Sequence, residues 1–170
     1  MTAPHDSDQA LGDETADLGG GASHLDAANR AIIEQLQRDG RRSYGAIAEE
    51  VGLSEAAVRR RVQRLREEGI IQIVAVTDPL QLGFRRQAMV GIRSEGDSRQ
   101  VAEKIAALDE VDYVVMCAGS FDVLAEVVCE DDDRLLDLLN ESIRSIPGVS
   151  STETFLYLKL AKQTYTWGTR

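Results

Sequence analysis

The stretch that decides the reading is VGLSEAAVRRRVQRLREEGI, Val51 to Ile70. Its first four residues form a tight corner: Gly52 tolerates the left-handed conformation that ends one helix, and the Ser54 side chain can cap the next. From Glu55 onward Val58, Val62 and Leu65 recur at spacings of four and three, so at about 100° per residue they share one stripe. Ala56, Arg60, Gln63 and Arg64 fall on the opposite side, with Arg59 at its flank. The pattern predicts a helix to about Glu68, closed by Gly69.

Working back toward the N-terminus, Ser43 caps a short helix whose Ile47, Ala48 and Val51 turn inward. Before it, Asp26 caps a helix carrying Ile32, Ile33 and Leu36, and Asp39-Gly40 stops it. Three helices, the last two joined by a Gly-containing turn, make a helix-turn-helix unit, winged-helix-like in type. The second helix of such a unit enters the major groove of double-stranded DNA. Arginine carries a planar fork that matches guanine O6/N7 or a phosphate, Gln63 can pair with adenine, and the small Ala56 permits close approach. Ser54 and the helix N-terminus suit a phosphate, and Arg41 and Arg42 stand where a neighbouring backbone contact is expected. A charge run on a lone helix is ordinarily a solvated face; its position beyond the corner favours DNA.

The net charge of −10 runs against nucleic-acid binding only until it is divided. Residues 1–24 hold five acids and no Lys or Arg, residues 25–70 hold nine bases against eight acids, and residues 71–170 hold ten bases against sixteen acids. The acid lies outside the helix-turn-helix, and the local arrangement of arginine is what counts.

After Gly69 the pattern becomes strand-like. Ile70 to Val76 predicts a strand linking two domains, broken at Asp78-Pro79. Then follow Gln87 to Arg93 (strand), Ser98 to Leu108 (helix), Val111 to Ala118 (strand), Phe121 to Cys129 (strand), Asp131 to Ser145 (helix) and Thr152 to Leu160 (strand). The order βαββαβ predicts a ferredoxin-like antiparallel sheet with both helices on one face. The whole is an α+β protein with a tail at 1–23, a DNA-binding domain at 24–69, a linker strand at 70–84, an effector-binding and assembly domain at 85–163 and a second tail at 164–170. The first tail, rich in Asp, Gly, Ala and Thr, is expected to be disordered.

Both faces of the hairpin are apolar. One can lie beneath the helices; the other calls for a partner, most simply in a symmetric dimer. Between its strands, Gly119-Ser120 offers backbone N–H groups and a hydroxyl to a carboxylate, and Asp122 can accept from an ammonium group, a pairing suited to an amino acid. Met116 and Phe121 flank this turn, and Thr152 and Thr154, two apart on the last strand, point to one side. Each also has a plain structural role as turn, cross-strand acid or β-former. Asp131-Asp132-Asp133 suits a helix N-terminus without any ligand.

No metal site or organic cofactor is expected. Cys117 and Cys129 lie in apolar runs without CxxC spacing, and the two histidines, His5 and His24, lie in or beside the tail. No run reaches the length of a membrane span and no secretory pattern opens the chain, so a cytoplasmic protein is expected. Catalytic constellations such as Ser/His/Asp, HExxH, a P-loop or GxGxxG are absent from the sequence, which argues against an enzyme.

The segment LDAANRAIIEQLQRDGRRSYGAIAEEVGLSEAAVRRRVQRLREEGII, Leu25 to Ile71, resembles the Lrp/AsnC family, the feast/famine regulators, and AGSFDVLAEV (Ala118 to Val127) is similar to the G-x-x-D hairpin of their sensing domain. Asn29 stands where the family commonly has an acid, and Gln72-Ile73-Val74 lacks its usual aromatic. The resemblance implies a transcription regulator of amino-acid or nitrogen metabolism genes, an amino-acid effector near Thr152 and Thr154, and dimers that assemble further, commonly to octamers, with effector pockets between dimers. Two other readings stand beside it: a DNA-organising protein without an effector and, remotely, a siroheme-decarboxylase-like enzyme, which would be expected to use a C-terminal His that this chain lacks.

Overall fold

A computed structural model describes residues 25–169; the expected disordered tail at 1–23 lies outside them. The chain divides into an N-terminal unit that runs to Ile73 and includes the segment from Tyr165, and a second unit, Val74–Thr164.

In the first unit three capped helices enclose a small core. Helix α1 (Ala27–Arg38) starts where Asp26 accepts from the Asn29 amide at 2.7 Å. Helix α2 (Tyr44–Val51) starts on Ser43, which accepts from Ala46 N, and ends on Gly52 at φ 68°. Helix α3 (Glu55–Glu67) starts on Ser54, which accepts from Ala57 N at 3.2 Å. Ile32, Ile47, Ala48, Val58 and Val62 form the buried centre, with Leu36, Tyr44, Val51, Leu53 and Ile71 packed around it. These side chains come from all three helices, so burying the stripe read on α3 fixes which face of that helix looks outward.

The expected linker strand does not form. Ile70 N and Ile71 N both donate to Leu65 O, closing the end of α3, and Ile71 joins the helical core. Residues 72–78 have no strand beside them among the described residues, and a strand without a ladder partner leaves its N–H and C=O groups to water. No β-wing follows α3 there. The β-branched run instead stands exposed at Ile73, Val74 and Val76.

The second unit is a four-stranded antiparallel sheet in the order β2-β3-β1-β4, made of β1 (Arg86–Ser94), β2 (Val111–Met116), β3 (Val123–Cys129) and β4 (Val149–Leu156). A short 3-10 turn, Pro79–Leu82, precedes it. Alternation sends Ala88, Val90, Ile92, Val123, Ala125 and Val127 to one face, where they pack with Val101, Ala102 and Ile105 of α4 (Ser98–Ala106) and with Leu138, Leu139 and Ile143. The other face carries Met89, Tyr113, Leu124 and Phe155, of which Tyr113 and Phe155 are exposed. This is the ferredoxin-like α+β arrangement expected, with both helices on one side.

The element ends differ from the sequence reading for identifiable reasons. Strand β2 stops at Met116 because Cys117 N bonds Asp122 O at 2.8 Å and the chain turns away. The last strand begins and ends earlier than 152–160: its ladder with β1 runs from Val149 opposite Ser94 to Leu156 opposite Ala88, and Tyr157 N makes a final bond to Gln87 O. A slip at Asp112 puts Val111 against the helix-side core while Tyr113 faces outward, so the hairpin alternation is not continuous. The single helix expected over 131–145 is α5 (Asp132–Asp137) running into a π-helical stretch, Leu138–Ile143, in which Arg144 N reaches back five residues to Leu139 O. Among the described residues no helix is long and apolar enough to cross a membrane.

Candidate DNA interface and effector loop

The outward side of α3 is polar and open. Ala56, Arg59, Arg60, Gln63 and Arg64 are exposed, as are Ser54 and Arg41. Arg59 donates to Glu55 at 2.8 Å one turn back and lies 5.3 Å from the centre of the Tyr44 ring on α2. Arg64 reaches Glu68 only at 4.0 Å, and Gln63 donates to Glu67 at 2.8 Å. Arg60 has no hydrogen bond or ion pair among the described residues. Its fork is exposed and committed to nothing, and exposed i,i+4 pairs such as those of Arg59 and Arg64 are weak enough to exchange for a phosphate or a base.

The remaining arginines work inside the unit. Arg61, beside Arg60, turns inward and donates to Asp26 at 2.6 Å and to Asn29 at 2.9 Å, tying α3 to the start of α1. The Asn29 amide and the Arg61 guanidinium hold the Asp26 carboxyl below its ordinary pKa of 3.8. Arg42 donates to the buried Gln35 and lies 3.7 Å from Glu50, so it braces α1 against α2, whereas Arg41 stays exposed. Sequence reasoning placed Arg41 and Arg42 together at the DNA backbone; the structure separates them, because only Arg42 has the buried amide oxygen of Gln35 within reach. The tie through Arg61 was missed; its signal was Asn29, polar and hydrogen-bonding, one turn after a capping Asp.

In the second unit the loop from Cys117 to Asp122 is pinned at both ends, by Cys117 N to Asp122 O and by Asp122 N to Ile92 O at 2.9 Å. Gly119 and Ser120 are exposed, and Gly119 does not use the left-handed region. Asp122 helps to hold the sheet together, since its Oδ2 accepts from Ser94 N at 2.7 Å and Ser94 Oγ at 3.2 Å. A carboxylate offers about four acceptor positions, so Oδ1 can still meet a ligand cation. Phe121 lies across Gly91, where any Cβ would come within 2.8 Å of the ring, and it meets Phe155 edge-on at 6.0 Å. Arg93 stacks over Phe121 at 4.7 Å and donates to Ser120 O at 2.8 Å. The sequence reading gave neither Arg93 nor Ser94 a role at this loop; the glycine inside a strand pattern at Gly91 was the available sign of a close approach.

The candidate effector residues do not converge on one cavity within a protomer. Register puts Met116 beside Val123, and Thr152 and Thr154 beside Ile92 and Val90, all on the helix side but on strands at opposite edges of the sheet. Phe121, over Gly91, is on the other face. A depression of about 370 Å³ lined by Leu82, Gly83, Phe84, Arg85, Glu130 and Asp131 includes none of them. Thr152 Oγ1 accepts from Arg144 Nε at 2.9 Å. Among the described residues no cluster of His, Cys, Asp and Glu could hold a metal ion.

Two family models match this chain: an AsnC-type helix-turn-helix domain over residues 25–66 and an AsnC-regulator C-terminal dimeric α+β barrel domain over residues 84–170, about half of the chain. An uncharacterized HTH-type transcriptional regulator of Pyrococcus abyssi is 36% identical over 146 residues, covering 85% of this chain and 90% of its own. A proline dehydrogenase transcriptional activator of Rhizobium radiobacter is 33% identical, with 82% and 93% covered. Among solved structures, E. coli AsnC superposes with a TM-score of 0.71 at 28% identity, over 83% of this chain and 97% of its own. A transcriptional regulator of Neisseria meningitidis in complex with L-Met gives a TM-score of 0.71 at 25% identity, over 84% and 95%. Helix-turn-helix, open-faced antiparallel sheet and these matches agree: the chain belongs to the Lrp/AsnC family of DNA-binding transcriptional regulators and is not an enzyme.

Proposed function

We propose that this regulator reads operator DNA through the outward face of α3 as a dimer, and that an amino acid or a closely related metabolite bound by the C-terminal domain alters that reading. The genes controlled would be those of amino-acid or nitrogen metabolism, and dimers would associate further, commonly to octamers. The observation that carries the DNA half is Arg60, exposed and uncommitted between two weakly paired arginines on the helix beyond the Gly52 corner. Arg41 and the Ser54 end of α3 would hold phosphates, and Arg60, Gln63 and Arg64 would face the groove.

The effector half is supported by the Neisseria relative solved with L-Met and by the Rhizobium relative named for the activation of proline dehydrogenase. Exposed N–H groups at Gly119-Ser120, the second oxygen of Asp122 and the hydroxyls of Thr152 and Thr154 are the groups an amino acid would use. Because Met116 and the threonines sit at opposite sheet edges, a complete pocket would draw on more than one protomer. The test is a thermal-shift screen of the twenty amino acids and related keto and amino acids, followed by a gel shift with each hit. A ligand at about 100 times its Kd should add about 2.7 kcal/mol.

A DNA-organising protein without an effector is the second reading, favoured by the commitment of Asp122 Oδ2 to Ser94. A screen in which no small molecule moves either melting or DNA affinity would select it.

A further inference from the structure

Arg42, Arg59, Arg61, Arg64, Arg86 and Arg134 each face an Asp or Glu that offsets their charge. Arg144, like Arg60 and Arg93, does not. It sits exposed just after the π-helical stretch, donates Nε to Thr152 Oγ1 at 2.9 Å and Nη1 to Asn140 Oδ1 at 2.6 Å, and meets no carboxylate among the described residues. Two neutral oxygens thus fix the plane of the guanidinium without cancelling its charge. The Nη2 edge is left with two donors, and Thr152, already accepting, has its own hydroxyl proton to give.

We propose that Arg144 and Thr152, rather than the Gly119-Ser120 turn, form the anion site that takes the carboxylate of the effector, on the helix side of the β4 edge, an assignment that rests on the amino-acid reading above. A guanidinium edge and an adjacent hydroxyl match the two oxygens of a carboxylate, and charge-assisted bonds of this kind are about twice as strong as neutral ones. Thr154 lies two residues further along the same side of β4, about 7 Å away, and offers the next hydroxyl to the rest of the ligand. The wide turn contributes geometry: the i→i+5 bond from Arg144 N to Leu139 O ends the buried stretch and brings Arg144 and Asn140 together over the strand, and π-turns are often found at functional sites.

A purely structural clamp between helix and strand would predict lower melting for Arg144 variants and nothing about ligand choice, so the experiment reads ligand choice. Each of the twenty L-amino acids is titrated against the full-length wild-type protein on labelled DNA, and each amino acid that acts is compared with its own carboxamide. Wild type should prefer the acid by roughly tenfold or more, because the amide forfeits the charge-assisted pair. Arg144→Gln should lose most of that preference, and Arg144→Lys should keep part of it through charge alone, which supplies the answer if the Gln variant does not fold. If wild type responds and both variants discriminate acid from amide as well as it does, the assignment to Arg144 is wrong and the effector reading stands. A wild type deaf to every amino acid overturns the assignment, and one deaf to the related keto and amino acids as well overturns the effector reading too.

Discussion

Arg60 and Arg61 are neighbours in sequence with different surroundings, and replacing each by Ala should separate DNA binding from folding. Arg60 has no partner to release among the described residues, so the full strength of a bidentate contact to a base, about 1–3 kcal/mol, should be lost in Arg60→Ala, a drop in affinity of roughly 5- to 150-fold. Arg59 and Arg64 must first give up their exposed pairs with Glu55 and Glu68, each worth about 0.3–0.5 kcal/mol, so their Ala variants should cost correspondingly less. Melting of Arg60→Ala should stay within about 0.5 kcal/mol of wild type, since the exposed side chain makes no bond to the rest of the unit. Arg61→Ala should instead lower the melting temperature, because it removes the donor shared by Asp26 and Asn29. Fluorescence anisotropy on a duplex selected from a random pool, repeated at several salt concentrations, gives the affinity and separates base from phosphate contacts: loss of a phosphate contact lowers the salt slope by about one. Equal affinity in Arg60→Ala together with unchanged melting in Arg61→Ala would refute both assignments.

Other perturbations test the packing. Ser43→Ala removes the cap of α2 and should cost about 1 kcal/mol, read as a lower melting temperature. Gly91→Ala drives a methyl into the Phe121 ring and should cost about 1–3 kcal/mol, with less loss when Phe121→Leu is made alongside; equal losses in the two backgrounds would deny the contact. Chiefly through burial, the Cys129 thiol is pushed above its ordinary value of 9.0, so a thiol reagent at pH 8 should modify the half-buried Cys117 quickly and Cys129 only after unfolding. Asp26, lowered by the Asn29 amide and by Arg61, and Asp132, lowered by Arg86, add stability that is fully present above the ordinary carboxylate value of 3.8 and is lost as pH falls through their lower folded values. Asp26→Asn should therefore flatten the acid limb of a melting-against-pH profile.

The helix-turn-helix was legible because its signals are local and redundant. Asp26, Ser43 and Ser54 each accept the backbone bond that their sequence positions imply, and Val58, Val62 and Leu65 are each 1% exposed or less. The same local logic could not see that Arg61 turns inward, since its partners are 32 and 35 residues away. Nor could it separate Arg41 from Arg42, whose difference lies in the buried oxygen of Gln35. In the sheet, period-two alternation revealed the strands but not their ends: β4 stops at Leu156 opposite Ala88, and the slip at Asp112 rotates Val111 away from the face its spacing implied.

The linker shows most directly what a sequence pattern reports. A run such as Ile70 to Val76 records that its residues favour extended, half-buried backbone, and that preference is a statement about side chains and their surroundings. A strand additionally needs another strand at about 4.8 Å to take its hydrogen bonds, and that requirement is written nowhere in the run itself. Within this chain the run divides: Ile70 and Ile71 close α3 and Ile71 fills the helical core, while Val74 and Val76 remain exposed beyond it. The same distinction governs the candidate effector residues, whose polar groups were picked out by type and spacing but whose convergence depends on sheet order. Met116 and Thr152 share a face and are separated by β3 and β1, so a pocket that used both would need groups from a second protomer.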